Sequence, residues 1–532
     1  MLFRKFNFKK QEKIFYLIFL LLFSISFNQY YGNLGVCPID SFWFFNSGYD
    51  VLNGHYPFKD YWTIAGPFIA YTQALLFKIF GVSWFSYVFH ASIYNFLISI
   101  ATFYTFYKLK LNVRYCFFYA LLVSILAYPS AGTPFVDQHA SIISIISIFC
   151  FILALKTNSK IYWFFLPIFF LIAFLSKQTP TGYIFLIIGF LSIIYFIFNF
   201  NINKIIYGIL GSITIISVFL ITLFASKISL ISFYDQYISF PLSIAKVRYE
   251  YFLFPLEFSR IVLRFKLIHL SSIILIIVSI KNIIHNLKYF KSNEFLITLS
   301  LIGSSYALIA HQLMTINGIF IFFIIPILAG FSHIYYLKHF KNKKYILYFL
   351  IFLTFFSTAY YGYKYIHKRD FMDLRKANME NAIDAKILHN KLRGLKWISC
   401  LKPDNPKKEI SQLLEAIDII KNDGRNKSII TDYKFISVIL SSYDFEPSQL
   451  WFINHVVHQN KESKHFKKYK QLFINQLQKN KIKIAYLIKP LWQSNEVFEE
   501  GLSKNCMKKI RITEILDGYL LQPCEELKIK SN

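Results

Sequence analysis

Long apolar segments separated by short polar stretches fill the first two thirds of the chain. A helix needs about 20 predominantly apolar residues to cross the hydrocarbon core of a bilayer, and eleven segments approach this length. Their pattern predicts a polytopic α-helical membrane protein. The predicted spans cover residues 14–30, 84–107, 115–128, 140–155, 161–175, 182–200, 205–225, 267–284, 294–310, 318–336 and 345–363.

Basic runs between these segments all fall on the same side of the predicted spans, and cytoplasmic loops are enriched in Lys and Arg. This side, predicted to be cytoplasmic, holds the N-terminus and residues 108–114, 156–160, 201–204, 281–291 and 338–344. The N-terminus lacks a small-residue cleavage site, which favours an uncleaved first span over a signal peptide. The opposite side is predicted to hold residues 31–83, 129–139, 176–181, 226–266, 311–317 and everything after about residue 366.

One apolar segment, PFIAYTQALLFKIFG at residues 67–81, is only fifteen residues long. Pro67 and Gly81 bound it, its apolar residues recur with a helical period, and Lys78 lies within it. We expect a helix that lies in the outer membrane interface. The alternative is a short span, which would invert every later loop and put most basic runs outside.

The chain after about residue 366 has the composition of a soluble domain. The segment ISQLLEAIDIIKNDG predicts an amphipathic helix, and KSIITDY, KIAYLIKP and GYLLQPC predict strands bounded by turn residues. We therefore predict a transmembrane domain over residues 1–366, whose first outer loop is 31–83, and an extracytoplasmic α/β domain over residues 367–532.

The cysteines and histidines of the predicted outer regions bear on disulfide formation and on zinc binding. Disulfides persist outside the cytoplasm, so Cys506–Cys524 and Cys400–Cys524 are both open as pairings. The histidines of HVVH at residues 455–458 have no third ligand at a suitable spacing, so no zinc site is predicted.

Overall composition agrees with this architecture, since 55% of the residues are hydrophobic and 20% are aromatic. A net charge of +29 would indicate nucleic acid binding in a soluble protein. Here the basic residues lie in loops and in the tail, so we predict membrane lipids and no nucleic acid among the partners. The chain has no P-loop and no G-x-G-x-x-G motif, which argues against a nucleotide-sugar donor.

Acidic residues are rare in residues 1–369, and their distribution is uneven. Glu12 and Glu294 fall on the predicted cytoplasmic side, and the other seven fall outside. Carboxylates concentrated at one end of a helix bundle suggest a polar site there. The alternative is that they are ordinary acidic residues of water-exposed loops. The seven are Asp40, Asp50, Asp60, Asp137, Asp235, Glu250 and Glu257.

Residues 37–67, CPIDSFWFFNSGYDVLNGHYPFKDYWTIAGP, form the most informative stretch. SFWFFNSGYDVLN predicts a short amphipathic helix, for which Asp40 is a candidate N-cap. The pattern G-x-x-P-[YF]-x-D follows at residues 54–60, and Gly66 and Pro67 then lead into the interfacial segment, which is followed by FGVS at residues 80–83.

This layout resembles the first outer loop of the GT-C glycosyltransferases, which include lipid A aminoarabinose transferases and protein O-mannosyltransferases. The resemblance covers the membrane part in layout and, in residues, 37–83 and more weakly 129–139 and 173–182. It implies transfer of a sugar from a polyprenyl-phosphate donor to a glycan, lipid or protein acceptor outside the cytoplasm, by an enzyme integral to the plasma membrane (the inner membrane of a bacterium). Many relatives have two adjacent acids in this loop or a Lys-Pro before the interfacial helix. This chain has IDSF and Gly66-Pro67 instead, which leaves the acceptor and part of the phosphate contact open.

Two catalytic carboxylates are implied by the same resemblance. Asp40 matches the proposed general base or acceptor-orienting acid, and Asp137 in GTPFVDQHA matches the second acid. A second acid could stabilise oxocarbenium-like charge, bind the acceptor or bind a divalent cation, which is the one cofactor left open.

Cations near the outer leaflet are needed to bind the donor phosphate. Lys177 and Gln178 lie in the tight turn FLSKQTPTG, and Arg248 lies in a long aromatic loop. The alternative for Lys177 is a lysine that only extends its ammonium group to the membrane interface. The alternative for Arg248 is a solvated loop residue with no ligand. Further candidate substrate-binding residues are Asp60, His139 and His311, although His311 could equally be a satisfied interfacial histidine.

Two other functions remain open. A transporter or flippase for lipid-linked saccharides would carry charged residues within its spans, and this sequence has few. A non-catalytic membrane subunit would not require Asp40 or Asp137. Convergence of Asp40, Asp137 and Lys177 around one cavity would favour the enzyme.

Overall fold

The structure is a computed structural model, and it describes residues 8–251, 257–315, 317–340, 343–441, 445–446, 463–491, 499 and 501–527. The helices are α1 (Phe8–Gly32), α2 (Pro38–Ser41), α3 (Trp43–Leu52), α4 (Pro67–Phe80), α5 (Trp84–Lys108), α6 (Val113–Leu126), α7 (Val136–Thr157), α8 (Ile161–Phe174), α9 (Thr181–Phe198), α10 (Ile202–Ala225), α11 (Leu230–Phe233), α12 (Phe240–Tyr251), α13 (Lys266–His285), α14 (Asn293–Thr315), α15 (Ile324–His339), α16 (Lys344–Tyr361), α17 (Pro406–Asn422), α18 (Phe435–Leu440) and α19 (Phe466–Lys479). The strands are β1 (Leu34–Val36), β2 (Ile383–Asp384), β3 (Lys396–Ser399), β4 (Lys427–Ile430), β5 (Ile484–Ile488), β6 (Met507–Arg511) and β7 (Leu516–Leu521).

The predicted membrane spans can be compared with the helices of the structure. Within the described residues, eight helices are long and apolar enough to cross a bilayer, which identifies an integral membrane protein and confirms the helical polytopic class. They are Gln11–Gly32, Val113–Ser130, Val136–Thr157, Thr181–Phe198, Ile202–Ala225, Lys266–His285, Asn293–Thr315 and Lys344–Met372.

The three other predicted spans also fold as helices, but they do not meet these criteria. Helix α8 has 14 residues and α15 has 16, so at 1.5 Å per residue they are only about 21 and 24 Å long, below the thickness of about 30 Å of a hydrocarbon core. Helix α5 has 25 residues, but it contains polar residues such as Asn95 and Thr102, both buried, and these lower its mean hydropathy. For these three helices, crossing of the membrane stays a prediction.

The predicted helix at residues 67–81 is confirmed as α4, which has 14 residues and ends where Gly81 adopts a φ of 79°. Its length of about 21 Å suits an interfacial position better than a span, and its orientation in the membrane stays a prediction. The predicted short amphipathic helix before it is confirmed as α3.

The chain divides into two compact units. The first comprises Met1–Gly32, Val88–Val218 and Phe254–Phe371, and the second comprises Asn33–Tyr87, Phe219–Leu253 and Met372–Asn532. The described part of the first unit is helical, whereas the second contains every described strand together with α2–α4, α11, α12 and α17–α19. This division follows internal contacts and does not test the predicted domain boundary at residue 366.

Helix α7 is the most enclosed element of the first unit, because it is buried over nearly its whole length from Val136 to Leu155. A helix that is apolar on all sides is typically buried. Small polar residues let neighbouring helices approach it, and Ser144 lies 3.2 Å from Thr181 of α9 between their hydroxyl oxygens. Helix α10 by contrast exposes Ile209 and Ile213, as a lipid-facing helix does.

Two sheets organise the second unit. The smaller sheet has the order β1-β3-β2, in which β1 and β3 are parallel and β2 is antiparallel to β3. The larger sheet has the order β4-β5-β7-β6, in which β4 and β5 are parallel and the other pairs are antiparallel. The predicted strands in KSIITDY and KIAYLIKP are confirmed as β4 and β5, the strand in GYLLQPC as β7, and the amphipathic helix as α17. Strands β1, β2, β3 and β6 were not predicted.

The core of the larger sheet is apolar and carries a disulfide. Ile430, Phe473 and Leu487 pack in one buried cluster, to which Cys506 and Cys524 belong. These two cysteines form the disulfide, which settles the choice between the two predicted pairings, and Cys400 is a free thiol. The disulfide is consistent with an extracytoplasmic position of this part of the chain.

A buried carboxyl group in the second unit predicts a pH-dependent stability. The Glu409 carboxylate accepts hydrogen bonds from Trp397 Nε1 at 2.9 Å, Tyr433 Oη at 2.8 Å and Ser399 Oγ at 2.7 Å. Burial raises the pKa of the Glu409 carboxyl, and these hydrogen bonds offset only part of that effect. A raised pKa in the folded state stabilises the fold below the unfolded pKa, and this stabilisation is lost as the pH rises through the folded pKa.

We expect Glu409→Gln to flatten this dependence, since the amide cannot ionise. Thermal unfolding of both proteins between about pH 4 and pH 8 should show the melting temperature of the wild type falling relative to that of the variant as the pH rises. Glu415→Gln, on the same helix, serves as the matched control. A constant difference across this range would mean that Glu409 ionises as readily in the folded chain as in the unfolded one.

Candidate functional site

Asp137 is the centre of the candidate site. It lies in the first turn of α7, where the helix dipole favours a negative charge, and its side chain is only 1% exposed. Lys177 Nζ lies 2.7 Å from one carboxylate oxygen, and His311 Nε2 lies 2.5 Å from the other. Three sequence-predicted residues from distant parts of the chain therefore meet within the first unit.

Lys177 comes from the tight turn between α8 and α9. Its backbone N–H donates to the Ala173 carbonyl at 3.1 Å, and Gly182 N–H donates to the Gln178 carbonyl at 2.8 Å, so hydrogen bonds close the turn on both sides. The Lys177 side chain is 18% exposed, and Gln178 beside it is half-buried. The ammonium group of Lys177 pairs with the buried Asp137 carboxylate, and its position relative to the membrane interface stays a prediction.

His311 lies near the end of α14 and is fully enclosed. Its side chain is 1% exposed and hydrogen-bonds Asp137, so the histidine is satisfied, and its role in substrate binding stays a prediction. The next residue, Gln312, accepts a hydrogen bond from Phe320 N–H at 3.3 Å and so holds the following segment.

A second buried cluster surrounds His139, which was predicted to bind substrate. His139 Nε2 lies 3.2 Å from His90 Nε2, and its Nδ1 hydrogen-bonds the Tyr128 hydroxyl. The Tyr94 ring packs at 4.1 Å between centroids. The side chains of His90, Tyr128 and His139 are each less than 2% exposed. His139 therefore belongs to a packed aromatic cluster, and it points about 200° around α7 from Asp137 because the two residues are two positions apart.

Arg369 holds the loop that leads to Asp137, and sequence analysis did not single it out. Its buried guanidinium donates to the carbonyls of Pro129 at 3.1 Å and Ala131 at 3.2 Å. Asn28 Nδ2 donates to the Gly132 carbonyl at 3.2 Å. Gly132 has a φ of 79°, and a Cβ there would come within 2.6 Å of the Gly32 Cα, so only glycine fits.

Sequence analysis missed both Arg369 and His90, and only His90 carried a sequence signal. Arg369 follows the last predicted span in a basic run, where an ordinary solvated charge was the simpler interpretation. His90 interrupts an apolar span, and an ionisable residue in such a position is a usable signal.

Asp40 belongs to the second unit, so it is described apart from Asp137. It lies in the first turn of α2 and is half-buried, and its N–H donates to the Cys37 carbonyl at 2.9 Å. The expectation that Asp40 caps the helix is wrong, because Cys37 is the N-cap residue of α2 and Phe42 that of α3. The physical reason is that Pro38 begins a short helix ahead of the expected one.

Asp60 is 3% exposed and stabilises its own loop. One carboxylate oxygen accepts the Tyr56 N–H at 2.9 Å, and the other lies 3.3 Å from Lys479 Nζ of α19. Its role in substrate binding stays a prediction. Arg248 lies in α12, and its side chain is outside the described part of the chain.

Two of the partners of Asp60, the Tyr56 N–H and Lys479, allow a test of what its carboxylate does. We expect Asp60→Ala to lower the free energy of unfolding by about 1–3 kcal/mol, because it removes the acceptor of the partly buried Tyr56 N–H. Lys479→Met should cost less than about 1 kcal/mol, since the lysine side chain is 62% exposed. Equal losses for both variants in thermal unfolding would show that the ion pair, and not the turn, dominates.

Metal ligands do not cluster in the described part of the chain, where no group of three His, Cys, Asp or Glu residues is suitably arranged. The HVVH motif at residues 455–458 lies outside the described residues. No protein-family model and no curated protein matches this chain.

Proposed function

We propose that the chain is an integral membrane glycosyltransferase of the GT-C type, which moves a sugar from a polyprenyl-phosphate donor to an acceptor on the outer face of the membrane. The observation that carries this proposal is the buried group of Asp137, Lys177 and His311. It combines a cation, an imidazole and a carboxylate at the end of the spans that the charge pattern assigns to the outer side.

The chemistry of the donor explains what such a group would do. Transfer breaks the bond between the anomeric carbon and a phosphate oxygen, and the electron pair leaves with the polyprenyl phosphate. The acceptor oxygen forms the new bond and loses its proton. The phosphate gains negative charge as the bond breaks. Cations and hydrogen-bond donors directed at the phosphate oxygens therefore lower the energy barrier of the transfer.

Lys177 and His311 are suited to this role. A lysine ammonium has three donor hydrogens, and one is directed at Asp137. Asp137 holds both nitrogens in position by accepting a hydrogen bond from each. In this account Asp137 is a positioning residue for the phosphate-binding cation. Asp40 stays the proposed acceptor base on the resemblance alone.

A transporter of lipid-linked saccharides is the second candidate, and one observation favours it. Asp137 and His311 both lie within candidate spans, and paired ionisable groups within spans are typical of transport pathways. The two candidates differ in outcome, since a transporter moves its lipid between leaflets and leaves the sugar attached to it.

Donor binding by Lys177 variants tests the proposal. We expect Lys177→Gln to weaken the binding of polyprenyl phosphate by about 10-fold or more and Lys177→Arg to retain most of it, because the charge supplies the attraction. Lys78→Gln, which changes a lysine in α4, is the matched control. Unchanged affinity in Lys177→Gln, in protein that unfolds at the wild-type temperature, would contradict the assignment.

A further inference from the structure

Two free cysteines lie side by side in the smaller sheet of the second unit. Cys37 directly follows β1, and Cys400 directly follows β3. The two strands are parallel, and Val36 is paired with Ser399. Cys400 N–H also donates to the Val36 carbonyl at 3.3 Å, so the pairing of the strands extends to the cysteines.

The spacing of these backbones suits a covalent bond. Neighbouring strands lie about 4.8 Å apart, and a disulfide needs a Cα separation of roughly 4.4–6.8 Å. Of all neighbouring groups, Cys400 raises the pKa of the Cys37 thiol most, which agrees with the register in placing the two side chains close together. Oxidation would therefore require little backbone movement.

The two thiols differ in solvent exposure, and this difference indicates which of them reacts first. Cys37 is 2% exposed, whereas Cys400 is partly exposed. The neighbouring Cys400 side chain, burial and the nearby Asp40 and Asp373 carboxylates all raise the pKa of the Cys37 thiol. Cys400 is therefore the thiol that reacts first with an external oxidant.

We propose that Cys37 and Cys400 form a second disulfide in the mature protein, which covalently joins β1 to β3. The Cys400 thiolate attacks the disulfide of an extracytoplasmic thiol–disulfide oxidoreductase and forms a mixed disulfide. The Cys37 sulfur then displaces the oxidant. The two thiols lose two electrons and two protons, and the oxidant leaves as a dithiol.

The Cys506–Cys524 disulfide in the same unit supports this proposal, since it is consistent with an oxidising compartment. The bond would fix the turn that bears Asp40, whose N–H donates to the Cys37 carbonyl. The inference rests on the sheet register and the paired thiols, and it does not depend on the proposed function.

Peptide mapping without reductant tests it. The full chain is purified from its membrane, its free thiols are alkylated under denaturing conditions, and the digest is analysed by mass spectrometry. We expect a linked pair of peptides that contain Cys37 and Cys400, alkylated Cys116 and Cys150, and an intact Cys506–Cys524 link. Alkylated Cys37 and Cys400 beside an intact Cys506–Cys524 link would overturn the proposal, as would a link from Cys400 to Cys506 or Cys524.

A variant confirms the assignment of the linked peptides. Cys37→Ser should make Cys400 available to the alkylating reagent, whereas Cys116→Ser, the matched control in α6, should leave the Cys37–Cys400 link unchanged. If Cys400 stays protected in Cys37→Ser, its partner is another group and the proposal fails.

Discussion

Asp137→Asn is expected to lower the rate of sugar transfer by at least about 10²-fold, because misplacement of a substrate-positioning group by about 1 Å is enough for such a loss. The amide cannot accept hydrogen bonds at both of its terminal atoms as the carboxylate does. Lys177 and His311 would then lose the group that holds them 2.7 and 2.5 Å from its oxygens. The check is the initial rate of transfer from a labelled polyprenyl-phosphate sugar, measured beside the melting temperature.

A matched variant separates this effect from a general loss of structure. Glu294 is a second buried carboxylate in a candidate span, and it pairs with Lys338 and with His339, the latter at 2.7 Å. Glu294→Gln makes the same chemical change at the predicted cytoplasmic side and should leave transfer close to the wild-type rate. Equal losses in both variants, or full activity in a folded Asp137→Asn protein, would remove Asp137 from the account.

The second large effect is expected in the C-terminal α/β region. Lys434 and Glu446 form an ion pair whose side chains are 3% and 0% exposed. Removal of one partner of a buried pair costs about 3–5 kcal/mol, because the other charge stays buried without compensation. Lys434→Met and Glu446→Gln should each destabilise this region to that extent, and Lys434→Met/Glu446→Leu should cost less than the sum of the two single changes.

Hydrogen exchange of the amides in β4 and β5 measures this effect in the full chain. Protection there should fall in both single variants and recover in part in the double variant, which gives the coupling energy of the pair. Lys408→Met is the matched control, since Lys408 pairs with Glu514 at 3.8 Å and both side chains are more than half exposed. Additive losses in the double variant would show that Lys434 and Glu446 are energetically independent.

Local patterns were sufficient for the long apolar helices and for three of the seven described strands. Apolar length predicted α1, α6 and α7, and a helical period bounded by proline and glycine predicted α4. Strands β4, β5 and β7 were found because each is a short apolar run between turn residues. Strand β1 was missed because three residues after a long apolar helix carry no pattern of their own, and its partner β3 is more than 350 residues away in the sequence.

The candidate site could be predicted only in part, for a similar reason. Asp137, Lys177 and His311 stood out one by one as polar residues at the ends of apolar segments. Their meeting depends on how α7, α14 and the turn before α9 pack, which no local pattern encodes. Arg369 was missed because its partners are backbone carbonyls, and these leave no trace in the sequence.

The most direct measurement is the transfer of radiolabelled sugar by the purified protein from a panel of polyprenyl-phosphate donors, with extracts that supply acceptors, alongside Asp40→Asn and Asp137→Asn. The account predicts that the wild type removes sugar from at least one donor and attaches it to an acceptor, and that both variants lose this activity. Movement of the intact lipid-linked sugar between leaflets, with no sugar transferred from any donor, would contradict it and would identify a transporter.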